Sequence, residues 1–271
     1  RTEGLLPISE QVPAETYRQG DRLKALIVDI RKSSREPQII LSRTNPQFLV
    51  KLFELEVPEI AEGLVKIKGV ARDPGLRSKI AVYSDNPDID PVGSCVGSKG
   101  SRVQVVVQEL RGEKIDIIPW SDDPTKFVCN ALAPAEILEV IIDEAEKAME
   151  IIVDDDQLSL AIGKRGQNVR LAVKLTGWKI DIKSRSQVKE ISRAAFKNLL
   201  SIPGIGSITA EILFKKEYLS AQDIADASVT ELAAIPGIGE KKAQNIKKAV
   251  EEYLQKQAAG SENSSLNQEE N

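Results

Sequence analysis

The sequence predicts an α+β multidomain protein with a short β-rich start, two tandem α/β domains and an all-α C-terminal domain. Two internal repeats are the main reason. A Gly-x-x-Gly motif recurs at an offset of 66 residues within the same pattern of elements, and a Pro-Gly-Ile-Gly turn recurs at an offset of 33. Because self-similarity at a fixed offset indicates duplicated structural units, each pair predicts two copies of one fold.

The segment up to Thr44 contains short alternating runs separated by turns, with Arg and Lys interleaved. These runs are Leu5 to Pro7, Gly20 to Ile30 and Gln38 to Arg43. They resemble the later strands of an OB-fold barrel. About 45 residues are too few for five strands of about 5 to 6 residues with their turns. We therefore expect a partial OB-fold domain over residues 1–46 that lacks its first strands.

The first repeat aligns Cys95 to Gly100 with Ala161 to Gly166. Each motif is followed by an apolar stretch with helical spacing, a glycine stop and the tetrapeptide Lys-Ile-Asp-Ile. The corresponding segments are Val103 to Leu110 with Lys114 to Ile117, and Val169 to Leu175 with Lys179 to Ile182. Each copy is therefore predicted to contain a helix, a loop, a second helix and a strand.

Two β-branched segments precede each loop: residues 65–70 and 79–83 in the first copy, and residues 137–142 and 149–153 in the second. The predicted order is helix, strand, strand, helix, Gly-x-x-Gly, helix, strand. It resembles the KH domain in its type II arrangement, an α/β sandwich. We expect a first KH domain over residues 47–120 and a second over residues 121–186.

The second repeat aligns Ile202 to Gly206 with Ile235 to Gly239, and Ala210 and Leu213 then match Ala243 and Ile246. Each copy resembles a helix-hairpin-helix motif. A tandem helix-hairpin-helix domain is expected over residues 187–256. The remaining residues 257–271 are rich in Gln, Ser, Asn and Glu, which predicts a disordered tail.

Composition excludes several kinds of chemistry. There is no histidine and there are two cysteines, Cys95 and Cys129, so zinc sites and Cys-His nucleophiles are excluded and no metal or cofactor is expected. The best carboxylate cluster, Asp154 to Asp156, stands before the helix leading to Gly163, where aspartates at or near an N-cap are the simpler explanation. Without a Walker-type loop or a serine elbow, no catalytic residue is assigned and an enzyme is not expected. The absence of an apolar run of about 20 residues and of a signal-peptide pattern favours a cytoplasmic protein without membrane contact.

The net charge of -4 requires any nucleic-acid surface to be local. Residues 160–189 contain eight Lys or Arg against Asp181 alone, a net +7, whereas residues 136–156 carry a net -8. Either run alone is explained equally well as a solvated face. The position of a Gly-x-x-Gly loop inside the basic run favours RNA binding there.

A Gly-x-x-Gly loop lets the backbone approach a nucleic-acid strand, and the N-terminus of the next helix directs N–H groups at a phosphate. One such loop is more often a plain turn between helices, but two in the same frame favour binding. The bases would lie in a groove lined by Val96, Val103, Ile162 and Val169. The predicted RNA-binding residues are Gly97, Ser98, Lys99, Gly100, Arg102, Gly163, Lys164, Arg165, Gly166 and Arg170.

The helix-hairpin-helix loops suggest a second, possible nucleic-acid backbone site. Its residues are Gly204, Gly206, Gly237, Gly239, Lys241 and Lys242. The first hairpin has Ser207-Ile208-Thr209 where the second has its lysines, so packing explains the first hairpin equally well. Whether this pair binds DNA, RNA or protein stays open.

The order of a partial OB-fold, two KH domains and a helical pair resembles the NusA family of bacterial transcription factors. The resemblance is close at Gly20-Asp21-Arg22, at residues 37–44 and at Arg72-Asp73-Pro74-Gly75. It implies a factor that contacts nascent single-stranded RNA, RNA polymerase and other elongation or antitermination factors, and that modulates pausing, termination and antitermination. It also implies a polymerase-binding domain before Arg1. The alternatives are a nucleic-acid-processing or repair component that binds DNA through its helix-hairpin-helix pair, and a protein-interaction scaffold.

Overall fold

The computed structural model describes residues 3–31 and 38–266, with side chains up to residue 257. The chain divides into two compact units, Arg1–Ser184 and Arg185–Asn271. The first unit contains three small sheets, each with its own strand order.

The first sheet contains strands from each predicted N-terminal run: β1 (Gly4–Leu5), β2 (Leu26–Arg31) and β3 (Gln38–Ser42). β3 lies in the middle, parallel to β1 and antiparallel to β2. Among the described residues these strands form an open sheet, which corrects the expectation of a partial barrel, and the OB-fold itself stays a prediction. The sheet is too small to close, because β1 contains only two residues.

The first α/β domain has the predicted element order, with one additional short helix. Asn45 and Asp90 cap two of its helices by accepting hydrogen bonds from Gln47 N and Val92 N, and a proline follows each cap. The central strand β5 is antiparallel to β4 and parallel to β6. The elements are α1 (Pro46–Glu56), α2 (Pro58–Ala61), β4 (Lys66–Asp73), β5 (Arg77–Tyr83), α3 (Pro91–Val96), α4 (Ser101–Glu109) and β6 (Lys114–Pro119).

The second α/β domain repeats this fold. Asp123 caps its first helix, and Gly177, in a left-handed conformation, ends the helix that follows the loop. Its central strand β8 is antiparallel to β7 and parallel to β9. The elements are α5 (Pro124–Leu132), β7 (Glu139–Asp143), β8 (Ala148–Val153), α6 (Leu158–Ile162), α7 (Gln167–Thr176) and β9 (Lys179–Ser184). The N-cap position of α6 is Gln157, so the three aspartates lie directly before the N-cap.

The two α/β domains pack together. Phe127 of α5 and Leu175 of α7 lie against Ala81 and Ile118 on the sheet of the first domain. A Cβ on Gly69 would lie 3.3 Å from a Leu175 methyl carbon, so the absence of a side chain there brings α7 close to β4. The face of the first sheet that points away from its own helices is therefore covered by the second domain.

The C-terminal helical unit consists of α8 (Arg185–Leu200), α9 (Ser207–Phe214), α10 (Ala221–Asp226), α11 (Val229–Ala233) and α12 (Glu240–Leu266). Capping boxes at Ser220 and Ser228 begin α10 and α11. The repeat predicted from the sequence is visible in the core, because both aligned pairs, Ala210 with Ala243 and Leu213 with Ile246, are buried in one cluster.

The backbone of helix α12 is helical to Leu266 and so extends into the segment predicted to be a disordered tail. Residues 240–257 contain no Pro or Gly and are dominated by Lys, Glu, Gln and Ala, which favour helix. That residues 257–271 form a disordered tail stays a prediction. Residues 267–271 of the predicted tail lie outside the described residues.

Across the described ranges, no helix is both long and apolar enough to cross a membrane.

Candidate nucleic-acid interface

The two Gly-x-x-Gly loops have the same backbone conformation. The first glycines, Gly97 and Gly163, have φ/ψ of 74°/172° and 76°/168°. Lys99 and Arg165 follow with φ/ψ of 52°/28° and 54°/31°, values that residues with a side chain rarely adopt. The same short single-turn conformation thus joins α3 to α4 and α6 to α7.

Glycine is required at the first position of each loop for two reasons: the backbone has a positive φ, and a Cβ would contact the following helix. A Cβ on Gly163 would lie 2.8 Å from the Asn168 backbone nitrogen, and a Cβ on Gly97 would lie 3.0 Å from the Arg102 backbone nitrogen. The last glycines, Gly100 and Gly166, have more room and need glycine mainly for their left-handed φ.

Each loop presents exposed polar side chains at its tip. Ser98, Lys99, Lys164 and Arg165 are exposed. Among the described residues none of these four makes a side-chain hydrogen bond or ion pair. No side-chain capping bond occurs at the N-termini of α4 or α7, whose caps are glycines. Unpaired cations beside an uncapped helix N-terminus form a local environment that favours a phosphate.

Arg102 has a different environment. Its guanidinium donates to both carboxylate oxygens of Glu59, at 3.1 and 2.9 Å, and to the Ser94 carbonyl at 2.6 Å. These contacts join α4 to α2 and α3. The structure therefore gives Arg102 partners that a phosphate would have to displace.

Asn168 occupies the equivalent place in the second domain, five residues after the first glycine. Its side chain is 2% exposed, and its amide nitrogen donates to the carbonyls of Leu132 and Ala161, both at 3.0 Å. Within the described residues its Oδ1 has no hydrogen-bond partner. The sequence interpretation missed this residue, although its equal spacing with Arg102 from the preceding glycine was a signal.

Arg170 also has a partner, and that partner lies in the first domain. Its guanidinium donates to Asp73 Oδ2 at 3.2 Å, and the Gln167 side chain donates to the same oxygen at 2.8 Å. Asp73 is the last residue of β4. The helix that follows the second loop is therefore tethered to the first domain.

The helix that follows the first loop is tethered to the N-terminal sheet in a similar way. Arg43, 1% exposed, lies 2.6 Å from Glu15 and 3.0 Å from Glu109 on α4, and it also donates to the carbonyls of Lys24 and Glu109. Because a planar guanidinium satisfies several acceptors at once, this buried arginine fixes three segments against one another. Both loops are thus held in position by contacts outside their own domain.

The helix-hairpin-helix loops show an asymmetry that matches the sequence. Gly204 and Gly237 have φ of 87° and 95°, and the carbonyls of Gly206 and Gly239 accept from Ala210 and Ala243 in the following helices. At the second hairpin Lys241 and Lys242 are exposed, and only Lys242 has a described contact, at 3.4 Å from the Gly237 carbonyl. At the first hairpin Ile208 is 72% exposed instead.

The cysteines do not form a reactive site. Burial raises the pKa of Cys95 to about 12, and burial also raises the pKa of Cys129. Within the described ranges, no three His, Cys, Asp or Glu side chains group so that they could hold a metal ion.

Two α-β-β-α-α-β domains with Gly-x-x-Gly loops, followed by paired helical hairpins, define tandem type II KH domains with a helix-hairpin-helix unit. Sequence comparison agrees. The NusA-like first KH domain matches residues 43–120, the NusA-like second KH domain matches residues 124–190, and a SAM-like helix-hairpin-helix tandem matches residues 196–252. The chain belongs to the NusA family.

Several relatives bear the name transcription termination/antitermination protein NusA. The protein from Halalkalibacterium halodurans is 60% identical over 191 residues, which is 70% of this chain and 50% of the relative. The protein from Bacillus subtilis is also 60% identical over 191 residues, or 70% of this chain and 52% of the relative. The protein from Borreliella burgdorferi is 42% identical over 226 residues, or 83% of this chain and 47% of the relative. The chain spans about half the length of the curated relatives it matches.

Among solved structures, the crystal structure of APE1850 covers 51% of this chain and 97% of its own, at 23% identity. Its TM-score of 0.40 is too low to support an argument.

Proposed function

We propose that this chain grips single-stranded RNA with its two Gly-x-x-Gly loops. The observation that carries the proposal is the identical loop conformation, which twice places exposed, unpaired cations beside an uncapped helix N-terminus. In KH domains the loop clamps about four nucleotides of backbone, so two loops in tandem serve a longer strand. The two α/β domains pack against each other, which supports one continuous site across both loops.

The RNA is the nascent transcript, and the chain acts as part of an elongation factor that modulates pausing, termination and antitermination. The names of the NusA relatives support this role. In this role the chain contacts RNA polymerase and other elongation or antitermination factors. It acts in the cytoplasm and has no enzymatic activity. The same names do not favour the alternative of a nucleic-acid-processing or repair component.

The phosphate contacts come from the loop backbones and from Ser98, Lys99, Lys164 and Arg165. Arg102 and Arg170 serve mainly to position the loops, because their guanidinium groups are held by Glu59 and Asp73. We also propose that the second helical hairpin contacts a nucleic-acid backbone through Gly237, Gly239, Lys241 and Lys242. The first hairpin, with Gly204 and Gly206, contributes less, because Ile208 replaces a lysine there.

The decisive experiment replaces both loop cations of the second domain, Lys164→Asp with Arg165→Asp, and measures affinity for single-stranded RNA by fluorescence anisotropy. We expect at least a tenfold loss, because the variant places two negative charges where phosphates bind. The matched control is Lys114→Asp with Lys126→Asp, which makes the same change of net charge at two exposed lysines outside the loops. Equal losses in both variants, or no loss in the loop variant, contradict the assignment.

A further inference from the structure

The sheet of the second α/β domain has a face that points away from its own helices. Side chains alternate along a strand, so Met149, Ile151 and Val153 enter the core whereas Ala148 and Glu150 point to the other side. We call this other side the outer face of the second sheet. Strand β7 lies at one edge of this sheet and β9 at the other.

The equivalent face of the first sheet is an interface within this molecule. There, α5 and α7 cover Ala81 and Ile118, and Asp73 accepts hydrogen bonds from Gln167 and Arg170 of α7. The fold thus already uses this side of a sheet to dock a helix, with a carboxylate at the end of the edge strand as the polar anchor.

Strand register relates the two faces residue by residue. Arg77 pairs with Lys114 and Ala148 pairs with Lys179, and these lysines begin the same Lys-Ile-Asp-Ile strand. Since Asp73 pairs with Arg77 and Asp143 pairs with Ala148, the equivalent of the anchor Asp73 is Asp143.

Two further positions follow from the same register. Ala71 lies opposite Lys79 and Ile141 lies opposite Glu150, so Ile141 is the equivalent of Ala71. Gly69 lies opposite Ala81 and Glu139 lies opposite Ile152, so Glu139 stands where α7 brings Leu175 in the first domain.

The second copy of the face is exposed at Ile141, whereas Ile152 on the same face is buried. Ile141 is 52% exposed, whereas Ala71 is 3% exposed. A shallow depression of about 380 Å³ lies beside Ile141, Asp143, Ala148 and Glu150. A single exposed apolar side chain is ordinary on a protein surface, so Ile141 indicates docking only together with its place in the register and the charges beside it.

The charges on this face indicate what it accepts. Lys183 is paired with Glu150 at 2.5 Å and lies 3.4 Å from Asp181, and Lys179 is paired with Glu146. In the described part of the chain neither Glu139 nor Asp143 has a cationic partner, and Asp143 accepts only from the Glu146 backbone nitrogen. Two unpaired carboxylates thus flank the exposed Ile141.

We propose that the outer face of the second sheet docks a helix of another protein, and that this helix carries an apolar residue flanked by two Arg or Lys residues. One cation pairs with Asp143, as Arg170 pairs with Asp73, and the other pairs with Glu139. The apolar residue packs on Ile141. The surface lies across the sheet from the Gly163 loop, so the chain can bind RNA and this partner together.

The test uses a helix-stabilised synthetic peptide with the sequence of α7, residues 167–176, carrying Leu175→Arg. It retains Arg170 and Leu171 and so presents cation, apolar residue and cation on one helix. Titrated into the isotopically labelled full chain, it is expected to cause saturable shifts of the amide resonances of β7 and β8. Ile141→Thr, which keeps a β-branched strand residue, and Asp143→Asn, which keeps the turn acceptor, should each weaken binding about tenfold.

A charge exchange separates specific docking from nonspecific attraction. Glu139→Lys should weaken the peptide about tenfold, and a peptide with Glu instead of Arg at position 175 should recover that loss. Absence of saturable shifts up to about 1 mM peptide, which corresponds to negligible affinity, overturns the proposal. The proposal is also overturned if the wild-type protein binds both peptides with equal affinity. It is overturned as well if the shifts are confined to the Gly-x-x-Gly loops, or if single-stranded RNA shifts the resonances of β7. RNA affinity should be unchanged in all three variants, so this result is independent of the RNA-binding proposal.

Discussion

The two glycine positions of the second loop require glycine for different reasons. Gly163 has a backbone conformation that is almost unique to glycine, and a Cβ there would meet the next helix, whereas Gly166 is left-handed with no atom within 4 Å of an added Cβ. We expect Gly163→Ala to lower the free energy of unfolding by about 3 kcal/mol and Gly166→Ala by about 1 kcal/mol. Urea denaturation of both variants measures the difference. Equal losses would show that the close contact with Asn168 relaxes without cost.

A buried ion pair joins neighbouring strands of the first sheet. Burial alone would raise the pKa of Asp116, but hydrogen bonds and charges from Arg77 and Lys79 outweigh it, and the pKa is lowered. Burial lowers the pKa of Lys79, whose side chain is fully buried and lies 2.9 Å from Asp116. Removing the carboxylate charge therefore leaves the Lys79 ammonium poorly compensated.

We expect Asp116→Asn to destabilise the protein by about 2 to 3 kcal/mol at pH 7, because it breaks a largely buried pair. The lowered pKa of Asp116 in the folded state means that this stabilisation is present above the unfolded pKa of about 4 and is lost as pH falls further. The difference between wild type and variant should thus shrink below about pH 4. Thermal unfolding between pH 3 and 7 measures it, and a difference independent of pH would exclude the charge as its origin.

At the scale of single residues, the sequence predicts the role of the loop glycines better than the role of the basic residues beside them. The first glycine of each loop was identifiable because its conformation is close to a property of the residue type. The partners of Arg102 and Arg170 were not, because Glu59 and Asp73 are distant in sequence and only the tertiary structure brings them near. A basic residue beside a loop therefore indicates a binding role only when its carboxylate partners are known.

At the scale of elements, the repeats identified both α/β domains and the helical pair, because duplicated periodicity is a long signal. Pairing was not predictable in the N-terminal sheet, where a two-residue strand lies parallel to β3. Nor was the packing of α7 on β4, which depends on the missing side chain of Gly69.

The packing of α7 on β4 sets the distance between the two loops. Asp73 contributes polar contacts to this packing, because it accepts hydrogen bonds from Gln167 and Arg170. We expect Asp73→Ala to weaken binding of an RNA of about ten nucleotides that reaches both loops and to leave binding of about four nucleotides unchanged, because only the longer strand gains from a fixed geometry. The effect should be a few-fold, since the Asp73–Arg170 pair is partly exposed. Anisotropy with both RNA lengths measures it.

Asp73→Asn is the matched variant for that experiment, because its amide oxygen still accepts from Gln167 and only the charge is lost. It should lie between wild type and Asp73→Ala on the longer RNA. Equal weakening of short and long RNA in either variant would show that Asp73 acts within one loop and does not set the spacing.

At the scale of the whole molecule, a chain of net charge -4 is proposed to bind a polyanion, so attraction must come from few local contacts. Affinity for single-stranded RNA falls with salt with a slope of about 0.7 for each phosphate contact. Each loop cation that contacts a phosphate therefore contributes a measurable part of that slope. A diffuse field does not give such discrete steps.

We expect Lys164→Ala with Arg165→Ala to reduce the salt slope by about 1.4 and Lys99→Ala to reduce it by about 0.7, because these variants remove two contacts and one. Substitution by alanine keeps the loop backbone and adds no repulsion, so the change in slope counts contacts. Anisotropy between about 50 and 200 mM salt provides the slopes. Lys114→Ala with Lys126→Ala makes the same change of net charge as the double loop variant and should leave the slope unchanged. If this control variant reduces the slope as much as the loop variant does, the electrostatic attraction is spread over the molecule. The loops would then hold the strand by shape and backbone contacts, without one ion pair for each cation.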